Sequence, residues 1–175
     1  MHRVRQGEVS LISELFERHH RRLYHFCWRM TGAAHVSEDV VQEVFLRMLR
    51  HRATFDTGQS FNAWMFSIAR NVQHDSWRKV RREEALPAAY ERTAADGGPA
   101  ASPERRAEIE RLHHALQALP SDKRELLVMS RFLGMTHAEI AEATGCAEGV
   151  SRTRLHRALE SLRDLYCTRK KETTL

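Results

Sequence analysis

Cysteine is scarce in this chain of 175 residues. The three that occur, Cys27, Cys146 and Cys167, are odd in number and far apart, and no Cys-x-x-Cys pair exists. That argues against a disulfide framework or a zinc–thiolate site, and it fits a reducing cytoplasm. Glycine (8) and proline (4) are few, and no segment alternates apolar and polar residues with period two. Strands therefore have little support, and an all-α chain is expected. No apolar run approaches the length of a membrane span, and the N-terminus lacks the apolar core of a signal peptide, so no stable membrane insertion is expected. Acidic residues are outnumbered: 28 Lys and Arg against 23 Asp and Glu leave a formal net charge of +5 and a pI near 9.5. A polyanionic partner, most simply nucleic acid, suits that balance, as does a merely basic soluble protein.

What is present is organised around Thr136 to Arg157. Thr136 and Glu139 form a capping box, in which each side chain satisfies an amide at a helix start. Ile140 and Ala141 offer a small apolar face, and Gly145 sits where two short helices must turn. The second helix carries Arg152, Arg154 and Arg157. This is a helix-turn-helix pattern, and guanidinium forks on its second helix suit both guanine edges and phosphates. An ordinary helical hairpin with a solvated arginine face fits the same residues. Cys146, in the turn, is open to oxidation if exposed.

The first eighty residues read as three amphipathic helices. Leu11, Ile12, Leu15, Phe16, Leu23, Phe26, Cys27 and Met30 recur at helical spacing and end at Thr31-Gly32. The cluster Arg18, His19, His20, Arg21, Arg22 reads as a solvated face; adjacent histidines point apart on a helix and make a poor metal site. Ser37 is placed to cap a second helix with Val40, Val41, Val44, Phe45, Met48 and Leu49 on its apolar face. Its other face shows Asp39, Gln42, Glu43 and Arg47, which suits either solvent or a basic partner helix. A turn-rich loop from Phe55 to Gln59 follows. Ser60 can cap a third helix that opens with Phe61, Asn62, Ala63 and Trp64 and runs to about Arg82, with Arg70, Arg78, Lys79, Arg81 and Arg82 towards its far end. Aromatics before a basic run suit stacking of unpaired bases and neutralisation of phosphates. For Trp64, followed by Ile68 and Val72, helical spacing favours the core instead.

The stretches SEDVVQEVFLRMLRHRATFDTGQSFNAWMFSIARNVQHDSWRKVRR and LPSDKRELLVMSRFLGMTHAEIAEATG…RTRLHRAL together resemble a bacterial sigma-70-type RNA polymerase sigma factor, closest to the small extracytoplasmic-function (ECF) group. The resemblance runs from about Leu11 to Leu165. It implies two small helical domains: residues 1–82 as region 2, a linker over 83–103, region 4 over 104–167, and a tail over 168–175. It also implies core RNA polymerase, promoter DNA and an anti-sigma factor as partners, with no catalysis, cofactor or metal. By that resemblance Asp39, Gln42, Glu43, Leu46 and Arg47 would dock on the polymerase clamp. Phe55, Gln59, Ser60, Phe61, Asn62 and Trp64, followed by Arg70, Asn71, Arg78, Lys79 and Arg81, would capture and melt the −10 element. Ser151, Arg152, Thr153, Arg154, His156 and Arg157 would read the −35 element. The chain departs from the family pattern at Thr144 and at Val150-Ser151, positions that normally pack the two helices together, so either a slight rotation or a looser packing of the recognition helix is expected.

The linker is rich in Ala, Gly and Pro. Its residues reach at most about 70 Å when extended, enough to set the two units about two DNA turns apart. Its acids could imitate nucleic acid, or it could be a passive tether. Beyond it, Ile109, Leu112, Leu116 and Leu119 form one stripe, with His113 and His114 at the surface or edge. A further helix runs from Pro120-Ser121 to Leu133-Gly134 with Leu126, Leu127, Met129 and Phe132 inward. Leu155, Leu159 and Leu162 continue the recognition helix. Two other classes remain: a regulator that binds duplex DNA without polymerase, and a recombinase, which would require a strand-rich catalytic domain. The two apolar units could also pack on each other and self-inhibit.

Overall fold

The computed structural model describes residues 1–80 and 102–172, and the linker expected over 83–103 lies almost wholly outside them. Among the described residues there are helices and no strands. Four helices make the N-terminal unit: α1 (His2–Arg5), α2 (Ile12–Thr31), α3 (Ala34–Arg50) and α4 (Phe61–Val80). Four more make the C-terminal unit: α5 (Pro103–Ala118), α6 (Ser121–Leu127), α7 (His137–Thr144) and α8 (Glu148–Glu172).

Helix ends follow local chemistry. Gly32 stops α2 in the left-handed conformation (φ 74°), which a residue without Cβ adopts cheaply. The Ser60 hydroxyl accepts from the Ala63 amide and caps α4 as expected. Ser37 does not cap α3. The helix has already begun at Ala34, so Ser37 is an interior residue, fully buried, donating back to the Ala33 carbonyl at 2.7 Å. The helix from Ser121 does not finish as a regular α-helix either. Its last turn, Val128–Phe132, is a π turn closed by the Leu133 amide on the Val128 carbonyl. That extra residue turns Phe132 outward, where the Arg29 guanidinium lies 4.2 Å from its ring centre, although the apolar pattern placed Phe132 in the core.

α2, α3 and α4 pack on one another through Leu23, Phe26, Val44, Met48 and Phe66, all fully buried. Phe26 and Phe66 meet edge to face at 5.3 Å, and each contributes roughly 2 kcal/mol through the apolar area it buries. α5, α6 and α7 surround α8 through Leu116, Leu127, Ile140 and Leu155. The two cores do not end at the unit boundary. α2 rests on α6 and the π turn, α4 rests on α7, and the buried side chains form one continuous cluster. His113 is accordingly buried beside the Trp28 ring at 5.2 Å, not at the surface.

One set of polar fasteners between the units uses helix-end carbonyls. The last four carbonyls of an α-helix have no partner within it. At the end of α2, the Met30 carbonyl accepts from Arg124 at 2.7 Å and the Arg29 carbonyl from Gln117 Nε2 at 2.9 Å. Arg124 also donates to the Gln117 and Leu119 carbonyls at the end of α5 (2.5 and 3.1 Å). In return, Arg22 on α2 donates to the Leu133 carbonyl at 2.7 Å. Arg124 is 6% exposed, and burial lowers its pKa without removing its charge. Arg124→Ala leaves several buried carbonyls short of a donor. It is expected to cost about 2–4 kcal/mol of stability, read as a shift of the urea unfolding midpoint.

Candidate nucleic-acid interface

The surfaces singled out from the sequence lie in three places. On α3, Asp39, Gln42 and Leu46 are exposed along one stripe, with Glu43 half-buried beside them. Of these, Gln42 and Leu46 line an open groove between α2 and α3 of about 410 Å³, together with Ile12, Phe16, Phe45 and Leu49. Arg47 is not part of that free stripe. It spans from Glu43 Oε1 (2.8 Å) on its own helix to Asp75 Oδ2 (2.8 Å) on α4, and these two carboxylates raise its pKa. It is a strut between helices.

On α8, Ser151, Leu155 and Ala158 form the inward stripe. Ser151 is therefore corrected: its side chain is fully buried and cannot touch a duplex. The same spacing turns Thr153, His156 and Arg157 outward, flanked by Arg152 and Arg154, and all five are exposed. Arg152 pairs with Glu148 at 3.0 Å and His156 with Glu160 at 3.5 Å, both on the open surface. Such pairs contribute little and yield readily to phosphate. The turn before α8 is built as expected: the Thr136–Glu139 capping box is complete, and Gly145 takes φ 67°. Thr144 gives its hydroxyl to the Ile140 carbonyl and touches Cys146 Sγ at 3.3 Å.

The third place is the loop before α4. Asp56 Oδ1 accepts from the Gly58 amide and holds a tight turn. Phe55 and Trp64 are 2% and 8% exposed, with ring centres 5.1 Å apart, and His2 of α1 lies edge-on to Phe55. Trp64 lies in the core, as its helical spacing favours, and the role in base capture that the family resemblance implies for Phe55 and Trp64 is corrected: the two rings form the floor of the loop. Phe61 is half-buried against His19 at 4.9 Å. Gln59 is half-buried and Asn71 exposed. Arg78, Lys79 and Arg81 have no described side chains.

The remaining polar residues of this group meet the C-terminal unit. Ser60 Oγ donates to Glu139 Oε1 at 2.9 Å, and Asn62 Nδ2 approaches the same oxygen at 3.5 Å. The Ser60 amide points at Glu142 Oε2 at 3.4 Å. Arg70 Nε lies 3.0 Å from both oxygens of Glu125, which is 4% exposed as a side chain. Burial lifts the Glu125 carboxyl above its ordinary value, and Arg70 offsets part of that. For Glu139, burial acts upward, but hydrogen bonds from the Thr136 amide, Ser60, the Thr136 hydroxyl and Asn62 hold it below 4.5. Glu139 thus serves two helices, as the capping box of α7 and as an anion before the first turn of α4. Sequence patterns expose only the first role. Glu125, Glu142 and Arg124 carry no signal that would single them out.

Two family models match the chain: Sigma-70 region 2 over residues 15–83 and Sigma-70 region 4 over residues 109–162. RNA polymerase sigma factor CarQ of Myxococcus xanthus is 34% identical over 165 residues, covering 94% of each chain. ECF RNA polymerase sigma factor SigL of Mycobacterium tuberculosis is 35% identical over 162 residues, covering 90% of this chain and 89% of its own. Among solved structures, CnrH in complex with the cytosolic domain of CnrY matches with a TM-score of 0.71 at 25% identity, over 95% of this chain and 94% of that one.

Because the folded-state pKa of Glu139 is depressed, its stabilisation is complete above the ordinary carboxylate value and is lost as pH falls through the lower one. Glu139→Gln can still fill the third position of a capping box. It is expected to flatten that acid limb in melting temperatures measured from pH 7 down to about pH 3, lying below wild type at neutral pH and meeting it at the acid end.

Proposed function

This chain belongs to the sigma-70 family of RNA polymerase sigma factors, in its extracytoplasmic-function group, and from that premise we propose which of its surfaces meets which partner. It is a promoter-specificity subunit that binds core RNA polymerase and directs initiation at promoters. The observation that carries this is the succession of both family regions in one short chain, with an arginine-bearing helix-turn-helix in the second. No described helix is long and apolar enough to cross a membrane. The working compartment is the cytoplasm, where polymerase and promoters are. An anti-sigma factor, the inhibitor implied by the family, completes the partner set.

The clamp of the polymerase docks on α3, whose exposed Asp39 and half-buried Glu43 share the helix with Gln42 and Leu46 of the apolar groove. A basic amphipathic partner helix would bury the groove with its apolar face and pair with those acids at the rim. Region 2 is placed at residues 1–82 and region 4 at 104–167, with 83–103 joining them. Thr153, His156 and Arg157, with Arg152 and Arg154 beside them, meet the −35 duplex: guanidiniums read guanine edges or phosphates, and Thr153 contacts whichever base lies opposite. Gln59, Ser60, Phe61 and Asn62 meet the −10 strand, while Phe55 and Trp64 support the loop from beneath. Arg70, Asn71 and the basic residues Arg78, Lys79 and Arg81 follow the backbone. Base capture with phosphate neutralisation offsets the few kcal/mol lost when a base pair opens. Enzymatic groups have no part in this function.

The test is transcription from genomic promoters of the source bacterium with purified core polymerase, where the chain is expected to create defined start sites. A regulator that acts without polymerase would instead bind duplex sites tightly alone and give none. Asp39→Arg is expected to abolish co-elution with core polymerase while leaving the melting temperature unchanged, because the residue is exposed. Arg157→Ala is expected to weaken −35 duplex binding by about 1–3 kcal/mol if it reads a base. If it holds a phosphate, binding falls evenly across sequences and the salt slope drops by about one.

A further inference from the structure

Val150 lies in the first turn of α8 and is 43% exposed, although its side chain is wholly apolar. The serine that follows it is fully buried, and its hydroxyl finds no hydrogen-bond partner among the described residues. Stability alone would favour the opposite order, since an apolar side chain gains by leaving water and an unpaired hydroxyl loses by it. Local rules are broken in this way where a side chain serves recognition rather than packing. Helical spacing sets Val150 on one face with Thr153, Arg154 and Arg157 (i, i+3, i+4 and i+7), apart from the inward stripe of Ser151, Leu155 and Ala158. The charged members of that face are uncommitted. Among the described residues no carboxylate pairs with Arg154 or Arg157, whereas Arg152 and His156 are matched with Glu148 and Glu160. The Thr153 hydroxyl donates to the Gly149 carbonyl at 3.0 Å, so it offers a groove an acceptor oxygen and a methyl group but no donor.

We propose that Val150 is a specificity-determining residue of the −35 site, packing its γ-methyl groups on the 5-methyl group of a thymine in the major groove. This rests on the assignment of α8 to the −35 duplex. The first residues of a recognition helix are those that reach base edges. Of the four bases only thymine shows a methyl group in the major groove, and an apolar side chain recognises it where arginine recognises guanine. The face therefore reads two chemistries at once: Val150 takes a T·A pair through apolar contact, and the free guanidiniums of Arg154 and Arg157 take a nearby G·C pair or the phosphates. A methyl contact needs no hydrogen bond, so its whole effect comes from removing two apolar surfaces from water.

The test uses holoenzyme, assembled from this chain and core polymerase, and selects from two randomised duplex libraries, one made with thymine and one with deoxyuridine in its place. Deoxyuridine keeps the hydrogen-bonding edge of thymine and lacks only the methyl group. Wild type is expected to enrich thymine at one upstream position about fourfold more than deoxyuridine at the same position, the effect of one buried methyl group, with guanine positions enriched alike in both libraries. Val150→Ala replaces an exposed residue with a better helix former, so the fold is kept. It is expected to lose the methyl preference at that position alone. Val150→Thr keeps one methyl group and is expected to fall between. A valine with a merely structural role would, on replacement, weaken every upstream position together in both libraries. That pattern, equal enrichment of thymine and deoxyuridine by wild type at every upstream position, or a methyl preference that survives Val150→Ala overturns the proposal. If neither library yields an enriched upstream element, the assignment of α8 to the −35 duplex fails and takes the proposal with it. An enriched element without the Val150-dependent methyl preference strikes the proposal alone.

Discussion

The arrangement of the two units depends on unpaired carbonyls at the end of one helix. α2 ends at Thr31 against a left-handed Gly32, and its final carbonyls must find donors elsewhere. Arg124 and Gln117 supply them from the other half of the chain. A guanidinium suits this position because its planar fork donates in several fixed directions and stays charged when buried. Arg124 reaches both the α2 end and the α5 end, so the orientation of the N-terminal unit is tied to a bend within the C-terminal one. Arg22 makes the reciprocal contact at the end of the π turn. These bonds are directional, whereas the apolar contact around Trp28 is not, so the bonds select one docking among the many that apolar burial would allow.

That docking gives the two nucleic-acid faces opposite fates. α8 packs through Ser151, Leu155 and Ala158, which leaves its arginines on the far side from the body of the protein. α4 packs through Trp64, Met65 and Ala69, and its first turn points at α7. A helix start collects anions, and α7 brings two of them. The capping box of the helix-turn-helix is consequently part of the interface between the units as well as part of its own motif. A local device for starting a short helix has become a contact over a separation of nearly eighty residues.

Much of this molecule could be read from its residues in order. The 3.6-residue periodicity gave the helices, Thr31-Gly32 and Thr136 to Gly145 gave their ends, and the three motifs in succession gave the family and its partners. Errors fell where a local pattern met a tertiary demand. Ser37 looked like a cap but is interior, because the chain resumes helix directly after Gly32. Phe132 looked like core but is rotated out by one extra residue in a π turn. Ser151 shares a helix with five exposed DNA candidates, and only the packing of the other helices around α8 turns it inward. Phe55 is aromatic in a place where bases could stack, yet its neighbours close over it, whereas the spacing of Trp64 with Ile68 and Val72 already favoured the core.

The sequence alone determined what each stretch is able to become, since helix period, capping chemistry and charge are properties of near neighbours along the chain. Only the tertiary structure decided which donors are already occupied. The partners of Ser60, Asn62 and Arg70 lie 79, 77 and 55 residues away. No periodicity or spacing rule extends that far, because such pairings arise only when two finished surfaces meet.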